Sequence, residues 1–328
     1  MRFDIPSTIS NEAGQALRQF YSLVQLSRER GPAAKPDTVE EWDLYNAQLS
    51  ALVGQLTAQA IGQLDVGLRD DVIAGVPVVR FTPGQCQEKH LLIYLHGGGY
   101  TLFSPKTVAT LPALLALATE CEVLAIDYTL APRGNWQSVT SQVESVYRAV
   151  LETGRPAGAI GFFGDSAGGG LACGSILRLR DQGLPLPGAV VLMSPWCDLT
   201  GQSDSVRTLG AADPTLAQED LALSAAAYAP TPEDRRHPYA SPINGDYTRP
   251  VSPMLIQAGT REILLSDAVR LYQAVAGGGG MATLDIYEGM PHVFQSMVPF
   301  APESRTAIRR AAKFFEDHLR APSSAPLS

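Results

Sequence analysis

From Val76 onward, short apolar runs alternate with stretches whose apolar residues recur every three or four positions. The runs are Val76–Phe81, Leu91–Leu95, Val123–Tyr128, Ala159–Phe163, Ala189–Met193, Met254–Ala258 and Thr283–Tyr287, and unbroken apolarity over such lengths predicts strands buried on both faces. Helical stripes lie between them, the clearest carrying Val139, Val143, Val146, Tyr147 and Val150. Strand and helix in alternation predict an α/β fold, a mostly parallel central sheet flanked by helices. Residues from about Ile9 to Ile61 show helical periodicity alone: Thr38 and Glu41 form a capping box, and Val39, Trp42, Leu49, Val53, Leu56 and Ala60 follow at helical spacing. Between Met193 and Met254 lies an insertion too long for an ordinary connection. Asp213 reads as its helix N-cap, Pro214 as the first helical position, and Leu216, Leu223 and Tyr228 as buried residues.

These segments suggest a division into a helical cap segment at 1–65, an α/β domain at 66–198 and 241–320, a cap insertion at 199–240 and a disordered tail at 321–328. The two cap segments would sit over the carboxyl ends of the strands, where open α/β sheets bind ligands. Gly277 to Gly280 reads as a turn between a helix and a strand.

Composition narrows the function. With 328 residues, 45% of them hydrophobic, a sizeable core is expected, and a net charge of −8 without a dense basic cluster argues against a nucleic-acid partner. Cys86, Cys121, Cys173 and Cys197 are far apart and lack metal-type spacing, so reduced thiols and no metal are expected. The first residues lack an apolar signal core and no run reaches membrane-spanning length, which reads as a cytoplasmic protein without membrane attachment.

Chemistry enters at Gly164-Asp165-Ser166-Ala167-Gly168, where an apolar strand meets a small-residue helix running from Ala167 to Arg180. A serine between glycines at such a turn projects its hydroxyl clear of the sheet, because only small neighbours avoid a clash. The alternative is a glycine-rich turn without chemistry. A second element, His96-Gly97-Gly98-Gly99-Tyr100, follows the run Leu91–Leu95. Its glycines let backbone amides approach a developing oxyanion, so Gly98, Gly99 and Ala167 are the candidate donors. A phosphate cradle fits poorly, since no Gly-Lys-Ser/Thr follows.

A serine nucleophile needs an imidazole, and in a fold with this elbow the chain order is serine, acid, histidine. Of five histidines, His90 and His96 precede the serine, His237 falls in the insertion and His318 lies in the last amphipathic helix, with solvent exposure expected. His292 remains, in the Gly/Pro loop Glu288-Gly289-Met290-Pro291-His292 after the last run. For the acid, Glu262 is favoured because it lies nearer a strand end; Asp267, which reads as first-turn helix chemistry, and then Asp198 are the alternatives.

Together, His96-Gly97-Gly98-Gly99-Tyr100, Asp127-Tyr128-Thr129-Leu130-Ala131-Pro132, Gly164-Asp165-Ser166-Ala167-Gly168 and Met290-Pro291-His292-Val293-Phe294 resemble the bacterial hormone-sensitive lipase family of carboxylesterases. The resemblance runs from about Val76 to Leu319, and the insertion is similar to that of the acetyl esterase branch. It implies an α/β-hydrolase fold with a helical cap and a serine carboxylesterase hydrolysing short-chain acyl esters through an acyl-enzyme. Ser166, His292 and Glu262 would form the triad, with no cofactor. Sheet-edge homodimers are common in that family, so the resemblance also admits a homodimer. An acyltransferase on the same triad and a non-catalytic small-molecule binder are the alternative functions. Asp127 is taken as structural, Asp165 as a brace for the elbow or glycine loop, and His96 as shaping its own loop. Two departures stand out. Glu262-Ile263-Leu264 replaces the usual Asp-Pro-Leu, and Arg133-Gly134-Asn135-Trp136 follows Ala131-Pro132 where a glutamate is usual, a change expected to affect a loop near the pocket.

Overall fold

The computed structural model describes residues 4–29 and 35–320; the expected tail at 321–328 lies outside the described residues. Eight strands form one sheet: β1 (Val66–Ile73), β2 (Val76–Pro83), β3 (Leu91–Leu95), β4 (Glu122–Ile126), β5 (Ile160–Asp165), β6 (Ala189–Met193), β7 (Met254–Arg261) and β8 (Ala282–Pro291). Their order is β1-β2-β4-β3-β5-β6-β7-β8, with β1–β2 and β2–β4 antiparallel and the remaining pairs parallel. The longer helices are α1 (Asn11–Glu29), α2 (Val39–Ile61), α3 (Thr110–Thr119), α4 (Trp136–Glu152) and α5 (Ala167–Asp181). Short α6 (Ser205–Thr208), α7 (Gln218–Tyr228) and α8 (Pro232–Arg236) form the insertion, and α9 (Leu265–Gly277), α10 (Phe294–Met297) and α11 (Pro302–His318) complete the chain.

The two-residue side-chain period sorts each central strand onto two faces. Leu91, Ile93 and Leu95 of β3 join a core with Val139 and Val143 of α4, Leu171 and Ile176 of α5 and Leu271 of α9. Leu92 and Tyr94 point the other way, toward Leu111 and Leu115 of α3 and Ile308 and Phe315 of α11. Each fully buried leucine or isoleucine contributes about 1.5–3 kcal/mol, so the sheet holds its register firmly where the site is built. A third cluster packs Ala13, Leu17 and Tyr21 of α1 against Tyr287, Met290 and Phe294.

Several expectations are corrected. β1 was not expected: its residues are half-buried or exposed and it pairs with β2 through an Ala74-Gly75 turn with both residues at positive φ. Strand β5 starts at Ile160 after a 3-10 turn at Ala157–Ala159. β7 and β8 run on to Arg261 and Pro291, so the segment before His292 is strand rather than loop; the pair continues past an irregularity between Gly259 and Arg261. In the insertion, the helix begins at Gln218 with Ala217 as N-cap, and Asp213 does not cap it. Tyr228 is buried whereas Leu216 and Leu223 are only half-buried, and His318 is half-buried rather than exposed. The Thr38–Glu41 capping box is formed as expected.

Candidate active site

At the end of β5 the backbone turns sharply into α5. Ser166 carries φ +53° and ψ −124°, a conformation that costs a non-glycine residue about 1–3 kcal/mol. Neighbouring strands hold it there: Ser166 N–H donates to Met193 O at 2.9 Å, and Ser166 C=O accepts from Trp196 N at 2.9 Å. Glycine at 168 is a matter of space, because a Cβ there would lie 2.0 Å from Leu95 O. The elbow therefore packs directly onto the end of β3, bringing Ser166 beside the glycine loop.

In that loop Gly98 has φ +115°, and a Cβ on it would meet Leu102 O at 2.3 Å, so only glycine fits. Among the described residues, the amides of Gly98, Gly99 and Ala167 donate no hydrogen bond. Three free donors thus flank the Ser166 turn. Asp165 braces the arrangement: its Oδ1 accepts from Tyr94 Oη at 2.6 Å and from Gly97 N at 3.1 Å. His96 shapes the loop through its ring, which stacks on Tyr128 at 4.2 Å and brings Nδ1 within 2.7 Å of Gly97 O. Burial pushes its pKa down to about 4, so the ring is neutral and Nδ1–H donates to Gly97 O. Asp127 N–H donates to Pro77 O at 3.0 Å, fixing the end of β4 beside β2.

Across the sheet, His292 follows directly on β8 and is 6% exposed. Its Nδ1 lies 2.7 Å from Glu262 Oε2, and Glu262 is fully buried. The other carboxylate oxygen accepts from Gly259 N at 2.6 Å and from Ser194 Oγ at 2.9 Å. Burial acts to lower the pKa of His292, but the hydrogen bond and charge of Glu262, joined by the charges of Asp213 and Asp165, outweigh it and hold the imidazole above its ordinary value. No hydrogen bond joins the Ser166 hydroxyl to His292 among the described residues, and in unliganded hydrolases such bonds commonly tighten only with substrate.

The alternative acids face elsewhere. Asp267 Oδ2 accepts from Cys197 N at 2.7 Å and Asp198 N at 2.8 Å, and its Oδ1 takes the Ser203 hydroxyl. Asp198 accepts from Thr200 N at 2.9 Å and pairs with Arg270 at 2.8 Å. Among the other histidines, His237 stacks on Trp136 at 3.9 Å and His318 lies against Phe314 at 4.4 Å.

Sequence reasoning missed Ser194 in this neighbourhood and read Asp213 only as a helix N-cap. Ser194, just past β6, touches Glu262; its only signal was a Ser-Pro step at a strand end. Asp213 uses Oδ1 to cap its own turn at Thr215 N and Leu216 N, and its Oδ2 accepts from Ile263 N at 2.9 Å, tying the insertion to the Glu262 loop. The departing segment after Pro132 also has a physical role. Arg133 pairs with Asp43 of α2, Asn135 caps α4, and Trp136 Nε1 donates to Asp234 of α8 at 2.8 Å. Helices α2 and α7 also reach the glycine loop, where Asn46 Oδ1 accepts from Phe103 N at 2.7 Å and Tyr228 stacks on Tyr100 at 3.7 Å.

A mostly parallel sheet with a strained serine at one strand end and a carboxylate-held imidazole at another is the architecture of an α/β-hydrolase, and the chain's relatives make it a carboxylic ester hydrolase. The chain belongs to the family described as the alpha/beta hydrolase fold, whose model matches residues 92–296, and within it to the bacterial hormone-sensitive lipase group. It is 38% identical over 256 residues to an acetyl-hydrolase of Streptomyces hygroscopicus, covering 78% of this chain and 85% of that one. It is 32% identical over 275 residues to the putative acetyl-hydrolase LipR of Mycobacterium tuberculosis, covering 84% and 88%. An esterase from the bacterial hormone-sensitive lipase family superposes with a TM-score of 0.82 at 30% identity, covering 95% of this chain and 99% of that one.

Proposed function

We propose that the chain is a serine esterase of short acyl esters, with Ser166 as nucleophile, His292 as base and Glu262 as the residue orienting it. The observation that carries this reading is the 2.7 Å contact of Glu262 with His292 Nδ1. A carboxylate there keeps the proton on Nδ1 and leaves the lone pair on Nε2 to receive the serine proton. Ser166 Oγ attacks the acyl carbon as its proton moves to Nε2, and the tetrahedral oxyanion is met by the amides of Gly98, Gly99 and Ala167. The alkoxide leaves with the proton from Nε2, forming the acyl-enzyme. Water then repeats the sequence, giving carboxylic acid and free serine.

Short acyl chains are supported by the cap. The Tyr100–Tyr228 stack and Ser224, whose Oγ would lie 2.9 Å from a Cβ at Gly99, crowd the glycine loop, and Ser166 is 7% exposed. The names of the acetyl-hydrolase relatives agree with this reading. The division into an α/β domain with caps at 1–65 and 199–240 belongs to the same reading. So does a cytoplasmic setting, supported by four free cysteines, three of them buried, and by the absence among the described residues of any helix long and apolar enough to cross a membrane. A profile of hydrolysis across 4-nitrophenyl esters from acetyl to dodecanoyl, with Ser166→Ala as the blank, tests the reading. The expected maximum falls at acetyl to butyrate; a maximum at the longest chains would overturn it.

The pH dependence follows from His292. Only its neutral form accepts a proton, and Glu262, Asp213 and Asp165 hold its pKa above 6.5. The kcat/KM profile is therefore expected to rise with pH through a single acid limb centred above 6.5, measured with 4-nitrophenyl acetate corrected for spontaneous hydrolysis.

A further inference from the structure

Ser194 is fully buried just past β6 and holds φ +48°, a region that serine seldom occupies. Its N–H donates to Gln257 O at 2.7 Å, anchoring it to β7. Its hydroxyl does two things at once, donating to Glu262 Oε1 at 2.9 Å and accepting from Val293 N at 3.0 Å. Val293 is itself unusual: a β-branched residue at φ +46° directly after His292. Two strained residues from different strand ends thus meet through one hydroxyl, with the acid on one side and the peptide behind the imidazole on the other. Strain of this kind persists only where the surroundings impose it.

We propose that Ser194 is a positioning residue, its hydroxyl clamping the Glu262 carboxylate and the His292–Val293 peptide into one rigid unit. This rests on the esterase reading above. Glutamate has one more rotatable bond than aspartate, so a carboxylate on it needs more than one contact to fix its plane. Gly259 N and Ser194 Oγ together hold Oε1, leaving Oε2 aimed at Nδ1. With the hydroxyl removed, Gly259 N alone allows the carboxylate to rotate, and Val293 N loses its acceptor.

The test is Ser194→Gly. Glycine adopts φ +48° without strain, so the turn itself does not require serine, and a merely structural role predicts a stable, fully active variant. Expected instead is a folded protein with KM for 4-nitrophenyl butyrate nearly unchanged and kcat lowered on the order of 10–100-fold. The acid limb of its pH profile is expected to move to lower pH, because the carboxylate no longer faces Nδ1 steadily. A downfield NMR resonance of the His292 Nδ1 proton is expected in the wild type, where Nδ1 lies 2.7 Å from Glu262 Oε2, and is expected to broaden or move upfield in the variant. Unchanged kcat with an unchanged resonance would overturn the proposal. If the glycine variant does not fold, the same resonance in Ser194→Ala decides, lost or retained. A wild type inactive toward esters would instead overturn the esterase reading, and the resonance would still judge the clamp by the same two outcomes.

Discussion

Ser166→Ala is expected to lose ester hydrolysis by a factor on the order of 10⁴–10⁶ in kcat while keeping its fold. The hydroxyl makes no hydrogen bond to any described residue, so its removal strands no partner. Alanine at φ +53° is as strained as serine, and the amides that define the turn, Ser166 N to Met193 O and Trp196 N to Ser166 O, are untouched. Stability should therefore stay within about 0.5 kcal/mol of the wild type. What remains is catalysis by the three amides and by water, which is why some excess over the uncatalysed rate should persist. The check is kcat for 4-nitrophenyl butyrate beside a thermal melt, with an organophosphate labelling only the wild type. Near-normal turnover in the alanine variant would remove Ser166 from the mechanism.

The second large effect separates the acids. Glu262→Gln is expected to lower kcat by about 10³–10⁴-fold, and the geometry gives the reason. Ser194 Oγ and Gly259 N both donate to Oε1, which pins the amide oxygen of a glutamine at that position. Its NH₂ then faces His292 Nδ1, which must accept rather than donate. The ring proton moves to Nε2, where the base is needed bare. Asp267→Asn should behave differently, because its carbonyl can still accept from Cys197 N and Asp198 N while its NH₂ meets the Ser203 hydroxyl. A rate loss under about tenfold is expected. Its signature is in stability instead. Burial pushes the Asp267 pKa from 3.8 up to about 7, so between those values the unfolded chain ionises while the folded one stays protonated, and the wild type loses stability as pH rises. The asparagine variant escapes that loss, so its melting temperature relative to the wild type should climb from about pH 4 to about pH 7 and then level. A larger rate loss at Asp267 than at Glu262, both variants folded, would exchange their roles.

How much of this was legible in the chain depends on the range of the forces involved. Strands β3, β5 and β6 are fully buried, and unbroken apolar runs announce such strands. The Ser166 turn and the glycine loop were legible because their constraints leave glycines in the sequence: Leu102 O excludes a side chain at Gly98 and Leu95 O excludes one at Gly168. β1 escaped because an edge strand with a half-exposed pattern carries little period, and its Ala74-Gly75 turn lacks the Asn-Gly or Asp-Gly signal. Glu288-Gly289-Met290-Pro291 looked like a loop because glycine and proline usually end strands. Pairing with β7 overrides that preference and carries the strand up to His292.

The sequence by itself determined the alternation of strand and helix, the serine at a strand-to-helix turn, the amides beside it and the histidine behind the last strand, since each is written in neighbouring residues. Which acid faces that histidine was only a preference for Glu262 in the sequence, and tertiary structure decided it. Glu262, Asp267 and Asp198 are all carboxylates, and in the sequence only their positions tell them apart. They were separated when parallel pairing of β6, β7 and β8 brought Ser194 and Gly259 onto one carboxylate, and when Cys197, Asp198 and Ser203 drew the second away. A buried carboxylate goes where donors satisfy it, and those donors come from residues as many as 70 positions away along the chain.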